Sequence, residues 1–281
     1  MKRSAVMMLV LAMFSGNASA TALLGRSATV NKFLQVFGWA NLGYNQTALS
    51  YDWSTSKYVT PEGFVPTKTL SCDVTLAIGL PGKVDVNLVA PLAAKQEETA
   101  KSSGLGDVML YARYGLLQTS LLPIKAALIL GANLPAADEN AAPALGDRTT
   151  DIAVGASTNT VSLLGFLAHA RAAYWLNGKL PDTEKKVGDM VEYNLTLDYS
   201  VTRKVTPEIC VAGYSRAQTD SSGTLLPNTD VSQHTLNVLV MWKPVSTLTI
   251  RPKVAVPLTS FSKGGSLAKV YGGLDIWAFL P

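Results

Sequence analysis

The sequence predicts an all-β protein, a transmembrane up-and-down antiparallel β-barrel of about 12 strands with long outer loops and short periplasmic turns. Three observations support this prediction: apolar and polar residues alternate in long segments, connection lengths alternate, and charges collect on one strand face. Successive side chains of a strand point to opposite faces, so alternation gives each strand one apolar and one polar face. In a membrane barrel the apolar face contacts lipid and the polar face lines the lumen.

The alternation is clearest in VEYNLTLDYSV, Val191–Val201, where every second residue is apolar or aromatic and the residues between are polar. Several segments reach 11 residues or more, whereas strands of soluble proteins average about 5–6 residues and a tilted membrane strand needs about 9–11. Eleven further segments share the pattern, the first less regularly: Asn31–Tyr44, Thr67–Leu80, Lys83–Leu92, Asp107–Leu116, Ile124–Leu134, Asp151–Ser157, Leu164–Leu176, Val205–Ser215, His234–Trp242, Leu248–Leu258 and Val270–Leu280.

Connection lengths alternate between these segments. Short turns and long outer loops are typical of outer-membrane barrels, whereas a soluble sandwich has no reason to sort its loops by order. The longer, polar connections follow odd-numbered strands: Asn45–Pro66, Ala93–Gly106, Pro135–Thr150, Asn177–Met190 and Arg216–Gln233. The shorter ones follow even-numbered strands: Pro81–Gly82, Thr158–Leu163, Thr202–Lys204 and Lys243–Thr247. Pro207 and Pro252 fall inside predicted strands and indicate a bulge, a strand end or a shifted boundary, because proline cannot donate to a ladder.

Charged residues collect on the polar face. The central apolar positions of the strands are free of Lys, Arg, Asp and Glu, and a mid-membrane Lys or Arg facing lipid would cost about 2–4 kcal/mol. A soluble periplasmic β-protein would separate its charges in the same way and stays the alternative architecture. In the barrel we expect seven charged side chains to line the lumen, where they would bias solute passage or pair and plug the barrel: Asp107, Arg113, Arg171, Glu192, Asp198, Arg251 and Asp275.

The first 20 residues have the features of a secretory signal peptide. Lys2 and Arg3 precede an apolar run, and Ala18-Ser19-Ala20 forms a small-residue cleavage site. We expect residues 21–281 to form a single barrel domain. The formal net charge of +4 falls to +2 without the two basic signal residues, so nucleic acid is not expected as a partner. Two cysteines on opposite strand faces predict neither a disulfide nor a metal site, and we expect no cofactor.

Three segments with glycine and aspartate lead into strands: SGLGDVMLYARYGLL (Ser103–Leu117), GDRTTDIAVGAS (Gly146–Ser157) and GDMVEYNLTLDYSV (Gly188–Val201). The chain resembles, over most of its mature length, the outer-membrane family associated with the phenol meta-cleavage degradation pathway. That resemblance implies a bacterial outer-membrane location and the passage of aromatic or other small hydrophobic compounds. The expected partners are outer-membrane lipid, a small-molecule solute and the barrel-assembly machinery, which commonly reads a terminal aromatic; here Phe279 precedes the last residue by two.

The predicted function is therefore a non-enzymatic channel or transporter, with outer loops such as Asn45–Pro66 as a lid. A structural or partner-binding barrel without transport is the alternative. A lipid hydrolase is a further alternative, because Ser232 and His234 are same-face neighbours in which histidine could activate serine. The glycine-rich segment before Asp107 lacks the lysine of a phosphate loop and predicts a turn capped by this carboxylate. Aromatic residues near strand ends predict two interfacial girdles: Trp39, Tyr44, Tyr174, Trp175, Tyr193, Tyr199, Trp242 and Trp277.

Overall fold

The computed structural model describes residues 28–63, 65–118, 124–160, 164–181 and 183–279, so the predicted signal peptide lies outside the described residues. Within these ranges, twelve long antiparallel strands form a sheet that closes between its last strand and its first. The predicted fold class is therefore confirmed. The barrel strands are β1 (Val36–Asp52), β2 (Thr67–Leu80), β3 (Val84–Glu97), β4 (Val108–Leu117), β5 (Ile124–Leu134), β6 (Asp151–Thr160), β7 (Phe166–Leu176), β8 (Met190–Tyr199), β9 (Val205–Arg216), β10 (Val231–Val245), β11 (Leu248–Pro257) and β12 (Ser266–Phe279).

The barrel has a long-loop end and a short-turn end, because each strand pairs with the next one along the chain. The connections at the long-loop end are residues 53–66, 98–107, 135–150, 177–189, 217–230 and 258–265. Connections at the short-turn end include residues 81–83, 200–204 and 246–247. The long-loop end also carries short strands: Lys57–Val59 pairs with β1, Ala100–Leu105 pairs with β3, and Lys185–Lys186, Asp220–Ser221 and Thr224–Leu225 pair among themselves.

The outer face of the barrel is apolar, whereas the inner face carries the buried charged side chains. Large apolar side chains such as Leu130, Val154 and Ile209 are more than half exposed, whereas Asp85 and Arg113 are fully buried. An exterior of this kind is unfavourable in water and matches the lipid-facing band of a membrane barrel. The apolar face therefore points outward, as the alternation predicted. In the described ranges, no helix is long and apolar enough to cross a membrane.

The first strand differs from its prediction. It spans Val36–Asp52 rather than Asn31–Tyr44, because Leu34 takes a φ of +58°, which an extended strand does not accommodate. The predicted loop Asn45–Pro66 is shorter as a consequence, since residues 45–52 belong to β1.

The two prolines are accommodated differently. Pro207 pairs with Val240 of β10, but the pairing of β9 with β8 stops one residue away, at Glu208. It therefore lies at a strand end with respect to β8. Pro252 pairs with Leu274 of β12, whereas the register with β10 passes from Lys253 to Ile250 without a paired residue between them. Pro252 thus leaves a gap in one ladder of an otherwise closed sheet.

The prediction of the aromatic girdles is only partly correct. Tyr44, Tyr174, Tyr199 and Trp242 are exposed on the outside, as a girdle requires. The prediction was wrong for three tryptophans on the inward face. Two of them are buried and the third lines an internal cavity: Trp39, Trp175 and Trp277. Inward-facing positions of a barrel need not be polar, so strand position alone did not determine which way these rings point.

Candidate functional site: the barrel interior

The segment before β1 runs inside the barrel, where inward-facing polar side chains bind its backbone. The Ala28 N–H donates to Asn159 Oδ1 over 2.9 Å, and Gln118 Nε2 donates to the Ala28 carbonyl over 2.8 Å. The Asn31 N–H donates to Asp85 Oδ2 over 2.8 Å. Residues 28–35 therefore occupy the side of the lumen bordered by β3–β6, and they narrow the space left for a solute.

A buried ion pair holds this segment inside the barrel. Asp85 and Arg113 are cross-strand neighbours on β3 and β4. Arg113 binds the carboxylate with two nitrogens, at 2.9 Å through Nε and 2.5 Å through Nη2. The same guanidinium donates to the Thr29 carbonyl over 3.2 Å, and Asn87 Nδ2 donates to Asp85 Oδ1 over 2.8 Å. Charge-assisted, bidentate bonds of this kind are the strong ones.

A second charge network joins β9, β11 and β12. Arg251 contacts Asp275 through Nε at 2.8 Å and Nη2 at 2.6 Å, and Glu208 through Nη1 at 2.9 Å. Lys253 Nζ lies 3.0 Å from the other oxygen of Asp275. The Arg251 guanidinium also lies 4.6 Å from the ring centroid of Trp277, a cation–π distance. Each carboxylate in this network is therefore neutralised by an adjacent cation.

The remaining predicted lumen residues lie apart from these networks. Asp198 of β8 pairs with His169 Nε2 at 2.8 Å. Glu192 is fully buried on β8, and Arg171 is 4% exposed on β7. The register places Arg171 opposite Asn194, two residues from Glu192 along β8. Arg251 and Asp275 thus come together, while the other predicted residues take separate partners or stand alone.

Asp107 organises a loop at the long-loop end. It stands just before β4, and its two carboxylate oxygens accept four backbone N–H groups from residues 136, 137, 147 and 148 at 2.8–3.2 Å. This arrangement matches the capping role expected for a turn before the strand. In the same loop, partial burial of its carboxyl and the nearby charges of Asp151 and Asp107 raise the pKa of Asp147 to about 6, although hydrogen bonds from Thr149 oppose the shift.

A cavity of about 450 Å³ occupies the short-turn half of the interior. Strands β7–β12, β1 and residues 29–31 form its walls, and Lys243 lies at the short-turn end. Its volume falls within the range of small-molecule sites. The acidic and basic side chains of the lining are His169, Arg171, Asp198, Glu208, Lys243, Arg251, Lys253 and Asp275. The aromatic lining consists of Phe37, Trp39 and Trp277.

The opposite half of the interior is packed with apolar side chains near β3–β7. This buried cluster consists of Val89, Met109, Tyr111, Ile129, Ala153 and Trp175, with Met190 packed against it. The interior is therefore apolar around this cluster and charged around the cavity.

The sequence-based site omitted several residues that the structure places in these networks: Asp85, His169, Glu208 and Lys253. All four lie on the polar face, which was the available signal. Lys253 follows Arg251 by two residues and so shares its face. The position of residues 28–35 inside the barrel had no comparable signal in the sequence.

The serine–histidine pair lies on the outer face near the long-loop end. Ser232 Oγ is 3.0 Å from His234 Nε2, and the Tyr193 hydroxyl is 2.9 Å from Nδ1. Gly213 separates Tyr193 from His234 in the sheet register. A Cβ at Gly213 would lie 2.3 Å from His234 Nδ1, so the glycine leaves room for the imidazole to reach Tyr193. The structure therefore brings the predicted pair into hydrogen-bond contact.

Residues 42–256 match the sequence profile of the family described as "Putative MetA-pathway of phenol degradation". The COG4313 outer membrane channel from Pseudomonas putida F1 superposes with a TM-score of 0.76 at 11% identity, covering 90% of this chain and 98% of that one. The NanC porin superposes with a TM-score of 0.54 at 8% identity, covering 86% of this chain and 100% of that one. The β domain of the Bordetella autotransporter BrkA superposes with a TM-score of 0.51 at 11% identity, covering 88% of this chain and 100% of that one. These likenesses show an outer-membrane barrel fold. No curated protein matches the chain.

Proposed function

The chain belongs to the putative MetA-pathway phenol-degradation family, and from that premise we propose that it is a bacterial outer-membrane channel for small solutes, including aromatic or hydrophobic ones. The observation that carries the proposal is the cavity of about 450 Å³ inside a barrel with an apolar exterior. Its lining combines charged networks with aromatic rings, so it suits solutes with a polar group on an apolar body. Outer-membrane lipid would surround the barrel, and barrel-assembly machinery would insert it.

Access from the long-loop end would be controlled by the connection 53–66. The Tyr58 hydroxyl in this connection donates to the Gly264 carbonyl over 2.6 Å, and Lys263 lies 4.9 Å from the centroid of Trp53. These contacts fasten Trp53 and Tyr58 to the neighbouring connection 258–265. We expect the connection 53–66 to act as a lid, because releasing this contact would uncover the end of the lumen.

Reconstitution of the full-length protein tests the proposal. In planar bilayers we expect ion conductance, and in liposomes we expect flux of a small neutral aromatic alcohol. Tyr58→Phe should raise the open fraction, because it removes the hydroxyl that fastens the lid, whereas Tyr51→Phe removes a nearby hydroxyl as a matched control. Absence of both conductance and flux would refute the channel and leave the structural or partner-binding barrel. Sedimentation with outer membranes tests the location separately.

The contact between Ser232 and His234 favours a second candidate function, a lipid hydrolase. In that reaction the serine oxygen would attack an ester carbonyl, histidine would pass the proton to the departing alcohol, and water would release the acyl group. The backbone N–H groups of Ser232 and His234 already donate to Lys263 O and Ser262 Oγ, so neither is free for an oxyanion. For this reason the channel remains the principal proposal.

A fluorophosphonate probe tests the hydrolase directly. The hydrolase predicts covalent labelling of Ser232 that is lost in Ser232→Ala and His234→Ala, together with release of fatty acid from phospholipid. Labelling that persists in Ser232→Ala, or activity that survives His234→Ala, would exclude this pair.

A further inference from the structure

Arg171 is a buried cation without a hydrogen-bond or ion-pair partner among the described residues, although Glu192 and Asp85 interact with it electrostatically. Its side chain lines the cavity and is 4% exposed, yet none of its three guanidinium nitrogens has a hydrogen-bond partner among the described residues. Over the same ranges, no carboxylate lies within 4.0 Å of it. A guanidinium offers five N–H donors, and leaving them buried without acceptors is costly. The position therefore calls for an acceptor that arrives from solution.

Each carboxylate lining the cavity already has a side-chain partner. Asp198 is paired with His169, while Glu208 and Asp275 are paired with Arg251. Lys243 at the short-turn end is exposed and forms no ion pair with the described carboxylates. The charges that remain available to a solute are therefore positive, which favours an anion over a cation in this cavity.

Aromatic rings face the unpaired guanidinium. β1 and β7 are six strands apart in a ring of twelve, so they lie on opposite walls of the barrel. Phe37 and Trp39 of β1 line the same cavity as Arg171 of β7, with Trp277 of β12 beside them. The rings of Phe37 and Trp39 are 5.4 Å apart and form one apolar surface. The cavity thus offers a planar cation on one wall and aromatic rings on the other.

We propose that this cavity binds small aromatic carboxylates, with the carboxylate on Arg171 and the ring against Trp39 and Trp277. Arginine matches a carboxylate with two parallel N–H bonds, and aromatic rings stack favourably on one another in offset or edge-on contacts. The inference rests on the proposed channel function and deepens it by naming the solute class. The inference requires that the flux of anionic aromatic solutes depends on Arg171, whereas the flux of neutral aromatic solutes does not.

Flux measurements on the full-length protein in liposomes test this requirement, with benzoate as the anionic probe and benzyl alcohol as the neutral one. Arg171→Gln should lower benzoate flux at least tenfold and change benzyl alcohol flux less than twofold. Arg171→Lys keeps the positive charge but loses the bidentate geometry of the guanidinium. Its benzoate flux should lie between that of the unaltered protein and that of Arg171→Gln. Lys185→Gln, an exposed loop cation, is the control for a general loss of positive charge. Heat-modifiable gel migration verifies that each variant folds.

The outcomes separate the inference from the function on which it rests. Loss of benzoate flux with retained benzyl alcohol flux supports the subsite, as does benzoate block of potassium chloride current that disappears in Arg171→Gln. Equal changes in both fluxes, or benzoate flux indifferent to Arg171→Gln, overturn the carboxylate subsite while the channel stands. No flux of either probe through the unaltered protein overturns both. Trp277→Leu should weaken the block by benzoate more than the block by acetate, and equal weakening would remove the aromatic wall from the proposal.

Discussion

The ion pair between Asp85 and Arg113 is expected to be a main determinant of barrel stability. Both side chains are fully buried, and two nitrogens of the guanidinium contact the carboxylate. Replacing one member leaves the other charge buried and uncompensated, which costs about 3–5 kcal/mol. We therefore expect Arg113→Met and Asp85→Asn each to lower the free energy of unfolding by that amount.

The double variant Asp85→Asn/Arg113→Met should lower the free energy of unfolding by less than either single variant does. The amide oxygen of the new asparagine can still accept the Asn31 N–H. The further losses are the bonds from Arg113 to the Thr29 carbonyl and from Asn87 Nδ2 to Asp85 Oδ1, each worth about 1 kcal/mol. Urea unfolding in phospholipid vesicles, followed by tryptophan fluorescence, measures the free energy of unfolding of the unaltered protein, the two single variants and the double variant. Single variants that lose less than about 1 kcal/mol would show that water already solvates both charges, and they would refute the reasoning.

Three further predictions concern the long-loop end. Asp107→Ala removes an acceptor of four backbone N–H groups and should speed hydrogen exchange in residues 135–150 while leaving the barrel's unfolding midpoint unchanged; an unaltered exchange rate would contradict the capping role. The pKa of Asp147 is raised to about 6, so its ionisation disfavours the folded loop above pH 6. Hydrogen exchange in residues 135–150, corrected for intrinsic rates, should therefore be slower at pH 5 than at pH 7.5. Asp147→Asn should abolish that dependence on pH. Gly213→Ala should separate His234 from Tyr193 and lower the unfolding midpoint, since its Cβ would also lie 2.7 Å from the Gln233 carbonyl; unchanged stability would mean that the histidine moves freely.

The sequence was sufficient to predict the barrel strands because an outer face in lipid imposes a strict two-residue period. Val191–Val201 was predicted and Met190–Tyr199 is observed, a shift of one or two residues at each end. The segment before β1 could not be predicted in this way. Its position depends on Asp85 and Asn159, which lie far away in the chain and bind backbone groups rather than side chains. Such contacts leave no periodic pattern in the residues they hold.

The pairings inside the barrel were beyond sequence reasoning for a different reason. Asp85 faces Arg113 because of a register between β3 and β4, yet these strands are joined by a long connection that contains the short strand Ala100–Leu105. A long connection does not fix register as a two-residue turn does. Alternation therefore predicts which charges face inward, but only the register determines which of them neutralise one another.

This distinction decides how an unpaired charge can be recognised. Arg171 and Arg251 look alike in the sequence, since each is a single arginine on the polar face of a strand. Arg251 meets Asp275 directly across the sheet and Glu208 two strands away, whereas Arg171 meets Asn194 and Ser157. Neutral neighbours on both sides leave the guanidinium without a carboxylate directly across the sheet. The solute preference that we propose is thus a consequence of strand register, and a one-residue slip of β7 would remove it by turning Arg171 toward lipid.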